Sequence, residues 1–362
     1  MTKDADGLML LYALDQAHEC ARRGDLERAE SIANDVRSRV SIEEHPRLAI
    51  RIMLLEGIVH AYQCDWSRSA DRLNRARLLS EVHRLKGEEI VAVAWGAYVD
   101  FNANFLEQAA RKAVFVLKEH EADPFSVCRA GLVLAATYQY VGNDEHADRW
   151  FSISRRAAEE TGDSSQTSAV IFDIVAMRVA MERFRRTFGS GGYRDLTLEL
   201  LFAQSSENFD RMGGVRVIPG LHLLLQAQIL NMSEDYPRAL SVITPIMDEL
   251  EDFGTELRSQ LFLEWLWAHS NCDGADAFDF EIDVVERYIE SFQSDDDIAV
   301  EYFRFSKIMA KRGDSGRAKA YEVKSEVARD RYIHWRRVFG TQLDGIVGVL
   351  FEVRSGFAKA GV

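Results

Sequence analysis

The stretch RRGDLERA, residues Arg22–Ala29, recurs near the other end of the chain as KRGDSGRA, residues Lys311–Ala318, and in looser form as YVGNDEHA, residues Tyr140–Ala147. Gly-Asp or Gly-Asn is typical of a tight break between helices, because glycine adopts left-handed dihedral angles and Asp or Asn caps the following helix. Apolar residues at helical spacing precede and follow the first copy. The stretch therefore predicts a helix, a short turn and a second helix, an αα-hairpin.

Further copies of this pattern divide the chain at a nearly constant interval. They are CDWSRSA, NFLEQA, GGYRDL and EDYPRA, which end at Ala70, Ala109, Leu196 and Ala239. Successive copies lie about 40 residues apart, a period typical of repeat proteins built from helix pairs. The interval from Ala239 to Ala318 is close to two units, which indicates that one copy between them has diverged. The segment NCDGADAFDFEIDVVERYI occupies the place of that copy. Since one hairpin cannot bury its apolar face alone, such pairs stack, and the small residue ending each copy marks a close helix crossing.

A low proline content also favours an all-α fold, because proline breaks helices and only 5 of the 362 residues are prolines. We place the helix pairs at 8–40, 47–82, 88–119, 125–161, 167–212, 216–253, 256–293 and 296–333. The segment HWRRVFGTQLDGIVGVLFEV, after residue 333, again has apolar residues at helical spacing. The sequence therefore predicts a repeat domain over 1–333 and, over 334–362, a helix and tail. This helix either caps the last pair or signals to an output domain absent from the chain.

The fourth unit, AGLVLAATYQYVGNDEHADRWFSISRRA, residues 130–157, resembles a tetratricopeptide repeat. The matching positions are Leu134, Ala135 and Tyr138 in the first helix, Gly142 in the turn, and Ala147 and Phe151 in the second helix, with the small Ser154 where the family has alanine. Trp66 and Tyr236 fill the family's aromatic position in other units, and Leu26 replaces it in the first. The long units also resemble the helical sensor regions of bacterial transcription activators and signalling enzymes.

This resemblance implies a specific architecture. We expect a right-handed α-solenoid of about eight antiparallel helix pairs, in which the first helix of each pair lines a concave groove. Ligands of such solenoids usually bind in that groove, so the resemblance directs the search for a site to the first helices.

The chain is acidic, with a formal net charge of −14, and its basic residues are concentrated late in the sequence. Residues 307–337 hold ten Lys or Arg against four Asp or Glu, so the rest of the chain is more acidic still. An acidic body repels phosphate, which disfavours nucleic acid as its partner. We interpret the basic stretch as a solvated helix face, and contact with a nucleic acid or an acidic protein surface is the alternative.

The cysteines and the N-terminus indicate a cytoplasmic protein. Cys20, Cys64, Cys128 and Cys272 are far apart without metal-ligand spacing, so we expect reduced, mostly buried thiols. The polar start MTKDADG lacks the features of a signal peptide. No run of about 18 apolar residues predicts a membrane span.

No motif predicts catalysis, a cofactor or a metal. FGSGGYRD, residues 188–195, is glycine-rich, but no Gly-Lys-Ser/Thr follows and no strand precedes it, which favours an inter-helix turn over a phosphate loop. DGADAFDFEID, residues 273–283, departs from the spacing of a calcium loop and favours a solvated acidic loop. None of the nine histidines belongs to a recognised metal motif. We therefore expect a protein that is not an enzyme.

The phase of the repeat places a set of first-helix residues on the outward, concave side. They are His18, Arg22, Tyr62, Gln63, Tyr98, Asn102, Arg129, Gln139, Tyr140, Gln228, Asn231, Arg304, Lys307 and Lys311. Amide side chains bond a peptide main chain, Tyr offers a rigid ring with a polar tip, and Arg binds carboxylates. An exposed helix face without a ligand has a similar composition, and the sequence leaves both interpretations open.

The first functional hypothesis is a scaffold that binds a protein or peptide in the concave groove, as a regulatory or signalling adaptor. The alternative is a small-ligand sensor domain of a bacterial signal-transduction or transcription-regulating protein, which signals through the C-terminal helix. A third hypothesis, a hydrolase or nucleotide-using enzyme, requires a pocket with perturbed ionisable groups. The sequence does not identify the partner, and it leaves homo-oligomer formation open.

Overall fold

The computed structural model describes residues 2–39, 45–189, 195–215, 220–252, 255–272 and 281–358. These residues form helices and no strand, which confirms the all-α class. The α-helices are α1 (Thr2–Arg22), α2 (Leu26–Arg39), α3 (Pro46–Tyr62), α4 (Trp66–Val82), α5 (Lys86–Asn102), α6 (Leu106–Lys118), α7 (Pro124–Tyr140), α8 (Asp144–Thr161), α9 (Ser164–Phe188), α10 (Thr197–Gly213), α11 (Leu221–Met232), α12 (Tyr236–Ile243), α13 (Thr255–Cys272), α14 (Ile282–Glu290), α15 (Asp295–Lys311) and α16 (Ser315–Ala358). A 3-10 helix, Thr244–Asp252, continues α12.

Each odd-numbered helix packs against the even-numbered helix that follows it. Between α3 and α4, for example, the Ser69 hydroxyl donates a hydrogen bond of 2.7 Å to the Gly57 carbonyl. The odd-numbered helices also pack side by side in chain order, from α1 to α15. This layer of odd-numbered helices carries all but one of the predicted groove residues, and Gln63 directly follows α3.

Six of the turns between an odd-numbered helix and the next share one backbone conformation. Their residues with positive φ are Gly24, Cys64, Asn104, Gly142, Glu234 and Gly313, with φ between 59° and 79°. The next residue donates its N–H to the carbonyl five positions back, as Asp25 does to Cys20 and Asn143 does to Tyr138. This is the bond of a Schellman motif. The predicted break is thus one recurring turn, even where a larger residue replaces glycine.

The small residues that follow these turns lie at helix crossings. Ala29, Ala109, Ala147 and Ala239 are fully buried. The sequence pattern placed Ala70 at the helix crossing of the second unit. The fully buried small residue there is Ser69, so this prediction is wrong by one position. Ala318, in the last unit, is partly exposed. The crossing is therefore tight in the early units and looser in the last.

The crossing of α7 and α8 leaves no room for a larger side chain. A Cβ added at Gly131 would lie 3.3 Å from the Cβ of Ser154. The Ser154 hydroxyl donates a hydrogen bond of 2.5 Å to the Cys128 carbonyl, and the Tyr138 ring stacks on His146 with centroids 5.0 Å apart. Close packing of this kind explains why small residues recur at these positions.

The C-terminal helix departs from the expected boundary at residue 333. α16 is one continuous helix of 44 residues, because the second helix of the last pair runs on without a break. Its later part packs against α6 and α7, where Phe339, Leu343 and Val347 are buried in the core formed by α5 to α8. α15 likewise packs against α9. The last helix pair therefore contacts the middle of the chain as well as its neighbour in sequence.

Several expectations fall partly or wholly outside the described residues. These include most of the glycine-rich stretch 188–195 and most of the acidic stretch 273–283. All four cysteines are free thiols, but Cys64 and Cys272 are exposed, so the expectation of mostly buried thiols is wrong for these two. Within the described ranges, every helix is too short or too polar to cross a membrane.

Candidate functional site

Five side chains from four odd-numbered helices converge on one face, which we call the Arg129 site. They are Tyr62 from α3, Trp95 and Tyr98 from α5, Arg129 from α7 and Asp173 from α9. These helices pack side by side in the order α3, α5, α7, α9. The site therefore exists only once four successive helix pairs have stacked.

Aromatic rings form the floor of the Arg129 site. The guanidinium carbon of Arg129 lies 3.4 Å from the centroid of Trp95 and 5.4 Å from that of Tyr98. The Tyr62 ring meets Trp95 edge to face, with centroids 5.7 Å apart. A guanidinium held over aromatic faces is attracted by their electron density and keeps its N–H donors free at its edge. Arg129 is thus held in position and can still bind an acceptor.

Asp173 is partly buried, and its carboxyl group lies near Arg129. Burial raises the pKa of Asp173 to about 7, although the charge of Arg129 opposes this shift. Burial also raises the pKa of Tyr62 and of Tyr98 above the ordinary value for tyrosine. A carboxyl group with a pKa near neutrality can donate or accept a hydrogen bond there.

The polar groups of the Arg129 site do not satisfy one another. Among the residues that the structure describes, no hydrogen bond or ion pair involves the Arg129 guanidinium, the Asp173 carboxyl, or the hydroxyls of Tyr62 and Tyr98. All four side chains are partly exposed, so their polar atoms are open to solvent or to a ligand. The arrangement therefore offers free donors and a free carboxyl to a molecule with matching groups.

A second polar contact crosses the same layer of helices beside the Arg129 site. Arg22, at the end of α1, pairs with Asp163 at 3.3 Å and lies 4.8 Å from the Phe125 ring centroid. Arg22 and Asp163 also act electrostatically on Tyr62. His18, one turn earlier, has a pKa lowered to about 3 by burial and by the charges of Arg51 and Arg22, so it is neutral at physiological pH.

Of the predicted groove residues, Tyr62, Tyr98 and Arg129 come together in the Arg129 site, and His18 and Arg22 lie close by. Gln63 is exposed and bonds Glu30 of α2 at 3.3 Å. Asn102 bonds the carbonyl of Tyr98 on its own helix at 2.8 Å. Both amides therefore bond groups other than the side chains of the Arg129 site.

Other predicted groove residues are buried and present no accessible surface. Gln139, Gln228, Asn231 and Arg304 are only 4%, 8%, 3% and 7% exposed, contrary to the outward orientation that the helical phase predicted. Gln139 bonds Asp144 at 2.7 Å, and Asn231 bonds the Glu264 carboxylate at 2.7 Å. The partner of Asn231 comes from α13, and that of Gln139 from the start of α8, so the helical phase of one helix does not reveal either contact.

Arg304 belongs to a buried ionic cluster that joins α9, α13 and α15. It pairs with Glu264 at 2.8 Å and Glu301 at 3.2 Å, and Arg183 pairs with the same two carboxylates at 3.5 and 2.5 Å. Burial alone would raise the pKa of Glu264, but the charges of Arg304 and Arg183 lower it. Burial raises the pKa of nearby Asp296 to about 7. The cluster fills this part of the layer of odd-numbered helices with mutually paired charges.

Several basic residues of this stretch make polar contacts to other helices. Lys311 bonds Asn271 at 2.6 Å, and Arg331 pairs with Asp295 at 2.6 Å. Lys307 is exposed and lies 4.7 Å from the Phe303 ring centroid. Tyr140 is partly covered by α16, because its ring meets Tyr332 and Trp335 edge to face. These predicted residues therefore lie apart from the Arg129 site.

Sequence reasoning missed Trp95 and Asp173. Trp95 stands three residues before Tyr98 on the same helix, a spacing that places the two rings on one face. Asp173 is a lone carboxyl inside the apolar run AVIFDIVAM. A single acid in such a run is the signal that could have identified it, because a buried carboxyl needs a partner.

Comparison with known proteins adds no assignment. No model of a known protein family matches the chain, and no curated protein matches it. Within the described residues, no group of three or more His, Cys, Asp or Glu side chains is arranged to hold a metal ion. The chemistry of the Arg129 site is therefore the best guide to function.

Proposed function

We propose that the protein is a non-enzymatic, tetratricopeptide-like scaffold that binds a peptide segment of another protein at the Arg129 site. In this proposal the helix pairs are antiparallel hairpins of a right-handed solenoid, and the chain serves as a regulatory adaptor. The recurring turn and the side-by-side order of the odd-numbered helices support the architecture. The acidic composition, with a net charge of −14, argues against a nucleic-acid partner.

One observation carries the proposed activity: Arg129, held over aromatic rings, lies near Asp173, and neither side chain has a hydrogen bond to described residues. A peptide supplies both complements within one residue, because its carbonyl or carboxylate accepts from a guanidinium and its N–H donates to a carboxylate. The rings of Trp95 and Tyr98 add apolar contact area at low entropic cost. A free metal ion would leave Arg129 unpaired, and a purely apolar ligand would leave both Arg129 and Asp173 unpaired.

The test is selection of ligands from a random peptide library on the full chain, followed by titration calorimetry. Replacement of Arg129 by Ala is expected to weaken the selected peptides at least tenfold, which corresponds to about 1.4 kcal/mol. The matched control is Arg149→Ala, because Arg149 is exposed on α8 and pairs only locally with Glu145. Failure to select any peptide, or equal affinity for the wild type and Arg129→Ala, would reject the proposal.

A small-ligand sensor is the second candidate, and one contact favours it. α7 carries Arg129 near its start and, at its end, the Tyr140 carbonyl that accepts a hydrogen bond from Tyr332 of α16. A ligand that shifts α7 would therefore act directly on the long C-terminal helix. Thermal-shift screening against metabolites and signalling nucleotides tests this, with hydrogen exchange over 332–347 as the readout. A stabilising metabolite that changes exchange there, combined with no peptide binding, would replace the first candidate by the second.

A further inference from the structure

Helix α10 buries Ala203 and packs Leu200 against the core, but it also exposes a second row of large apolar residues. Leu198, Leu201, Phe202, Phe209 and Met212 are 60%, 53%, 46%, 54% and 88% exposed. Its acids point the other way: Glu199 is buried, Glu207 bonds Gln226 at 2.7 Å, and Asp210 bonds His222 at 2.9 Å. A surface helix normally buries its apolar stripe and exposes its charges. The outward stripe of α10 is therefore a surface built for contact.

The stripe is confined to one side of the helix and contains no charge. At 100° per residue, its five apolar residues and the exposed Ser205 lie within an arc of about 100°. Arg211, the basic residue of this helix, lies outside the arc and bonds Asn208 at 2.6 Å. The protein as a whole carries a net charge of −14, so an uncharged face of this kind is unusual for its surface.

Four of the five apolar residues are placed symmetrically about Ser205, and the fifth, Phe202, has Asn208 at the corresponding position. Leu201 and Phe209 stand four positions on either side of Ser205, and Leu198 and Met212 stand seven positions on either side. An antiparallel copy of the same helix, related by a two-fold axis at Ser205, would set Leu201 against Phe209 and Leu198 against Met212. The smallest residue of the stripe would lie on the axis, where the two helices approach most closely.

We infer that the outward face of α10 is a homodimer interface, with a second copy of this chain as its partner. A two-fold interface must be self-complementary, since each surface meets its own copy, and the symmetric stripe meets this requirement. The five apolar side chains expose roughly 500 Å² per copy, a large share of the ~800 Å² per partner in a standard interface. The absence of charge in the stripe lets two identical faces meet without repulsion in an acidic protein.

This interface is distinct from the Arg129 site, so its test does not depend on peptide binding. Sedimentation equilibrium of the full chain at micromolar concentration should give twice the chain mass. Leu201→Glu and Phe209→Glu should each reduce the mass to that of one chain, because a buried, unpaired carboxylate opposes association. The matched control is Leu78→Glu on α4, since Leu78 is similarly exposed at 51% and should leave the dimer intact.

The two-fold register has its own test. Since position 201 faces position 209 of the other copy, the double variant Leu201→Lys with Phe209→Glu should associate at least tenfold more tightly than either single charge variant. Ser205→Cys should form an intermolecular disulfide on mild oxidation, identified as a cross-linked peptide by mass spectrometry, whereas Ser152→Cys on exposed α8 should not. The inference would be overturned by a monomeric wild type or by dimers that survive both glutamate substitutions. It would also be overturned if the charge-swap variant did not restore association and the Ser205→Cys variant did not cross-link.

Discussion

The hydroxyl of Tyr332 donates a hydrogen bond of 2.8 Å to the backbone carbonyl of Tyr140, across 192 positions of the chain. One turn further along α16, Arg336 Nε donates to the Val141 carbonyl at 2.8 Å. The last carbonyls of a helix have no partner within that helix. α16 therefore supplies the missing donors for the end of α7 and holds the turn between α7 and α8 against the last helix pair.

Gly142 provides a direct test of this docking. Its φ of 74° disfavours any side chain, and a Cβ there would collide with the guanidinium of Arg336. Gly162 has a similar φ of 66° but open space around it. We expect Gly162→Ala to cost about 1 kcal/mol of unfolding free energy, and Gly142→Ala to cost clearly more. Equal shifts of the two urea midpoints would contradict this and would show that the Arg336 guanidinium moves aside without a measurable loss of stability.

Loss of Arg183 should destabilise the fold strongly. Its guanidinium neutralises Glu264, Asp297 and Glu301 in the buried cluster between α9 and α15. Arg183→Ala leaves these carboxylates underpaired, so we expect a loss of about 3–5 kcal/mol in urea unfolding. The exposed Arg149→Ala should change stability by about 0–1 kcal/mol. A loss at Arg183 as small as that at Arg149 would show that the cluster is open to water.

Asp173 should make stability fall as pH rises. Its pKa is raised from 3.8 to about 7 by burial, so the folded chain holds a proton that the unfolded chain releases between these values. The protonated folded form is favoured at low pH, and this advantage is lost as pH increases through the window from 4 to 7. We expect Asp173→Asn to match the wild type near pH 4 and to be the more stable protein near pH 8. Thermal midpoints across this range test it, and a constant difference between the two proteins would contradict it.

The helix crossing at Ala147 should not accept a larger side chain. Ala147 is fully buried, whereas Ala318, at the equivalent place in the last unit, is partly exposed. Ala147→Leu is expected to cost about 1–3 kcal/mol through overpacking. Ala318→Leu should cost less, because its side chain can extend into solvent. Unfolding by urea measures both, and the reverse order would contradict the assignment of tight and loose crossings.

Local signals predicted the helices well. The Gly-Asp breaks at Gly24 and Gly313 and the Gly-Asn break at Gly142 adopt the left-handed conformation that the pattern required. The positions of most helices also agree with the predicted segments to within a few residues. Such features depend on neighbours in sequence, through turn dihedral angles, capping and apolar periodicity. They can therefore be recognised in one chain without knowledge of its tertiary contacts.

The candidate site was predictable only in part. Helical phase selected Tyr62, Tyr98 and Arg129, but it could not select Asp173, whose importance depends on a helix from another pair. It also assigned Arg304 to the groove, although Arg304 is paired with Glu264 from a different helix. Phase defines the side of a helix on which a residue lies, and it does not define what packs against that side.

The sequence by itself determined the all-α class, the helix breaks and their recurring interval, because these follow from local backbone preferences and apolar spacing. Tertiary structure alone decided that α16 runs past residue 333 onto α6 and α7, that the charges near Arg183 are buried, and that Arg129, held over aromatic rings, lies near Asp173. Each of these depends on how helices that are distant in the chain pack against one another. Such packing sums contacts between many segments, and no single stretch of sequence contains that sum.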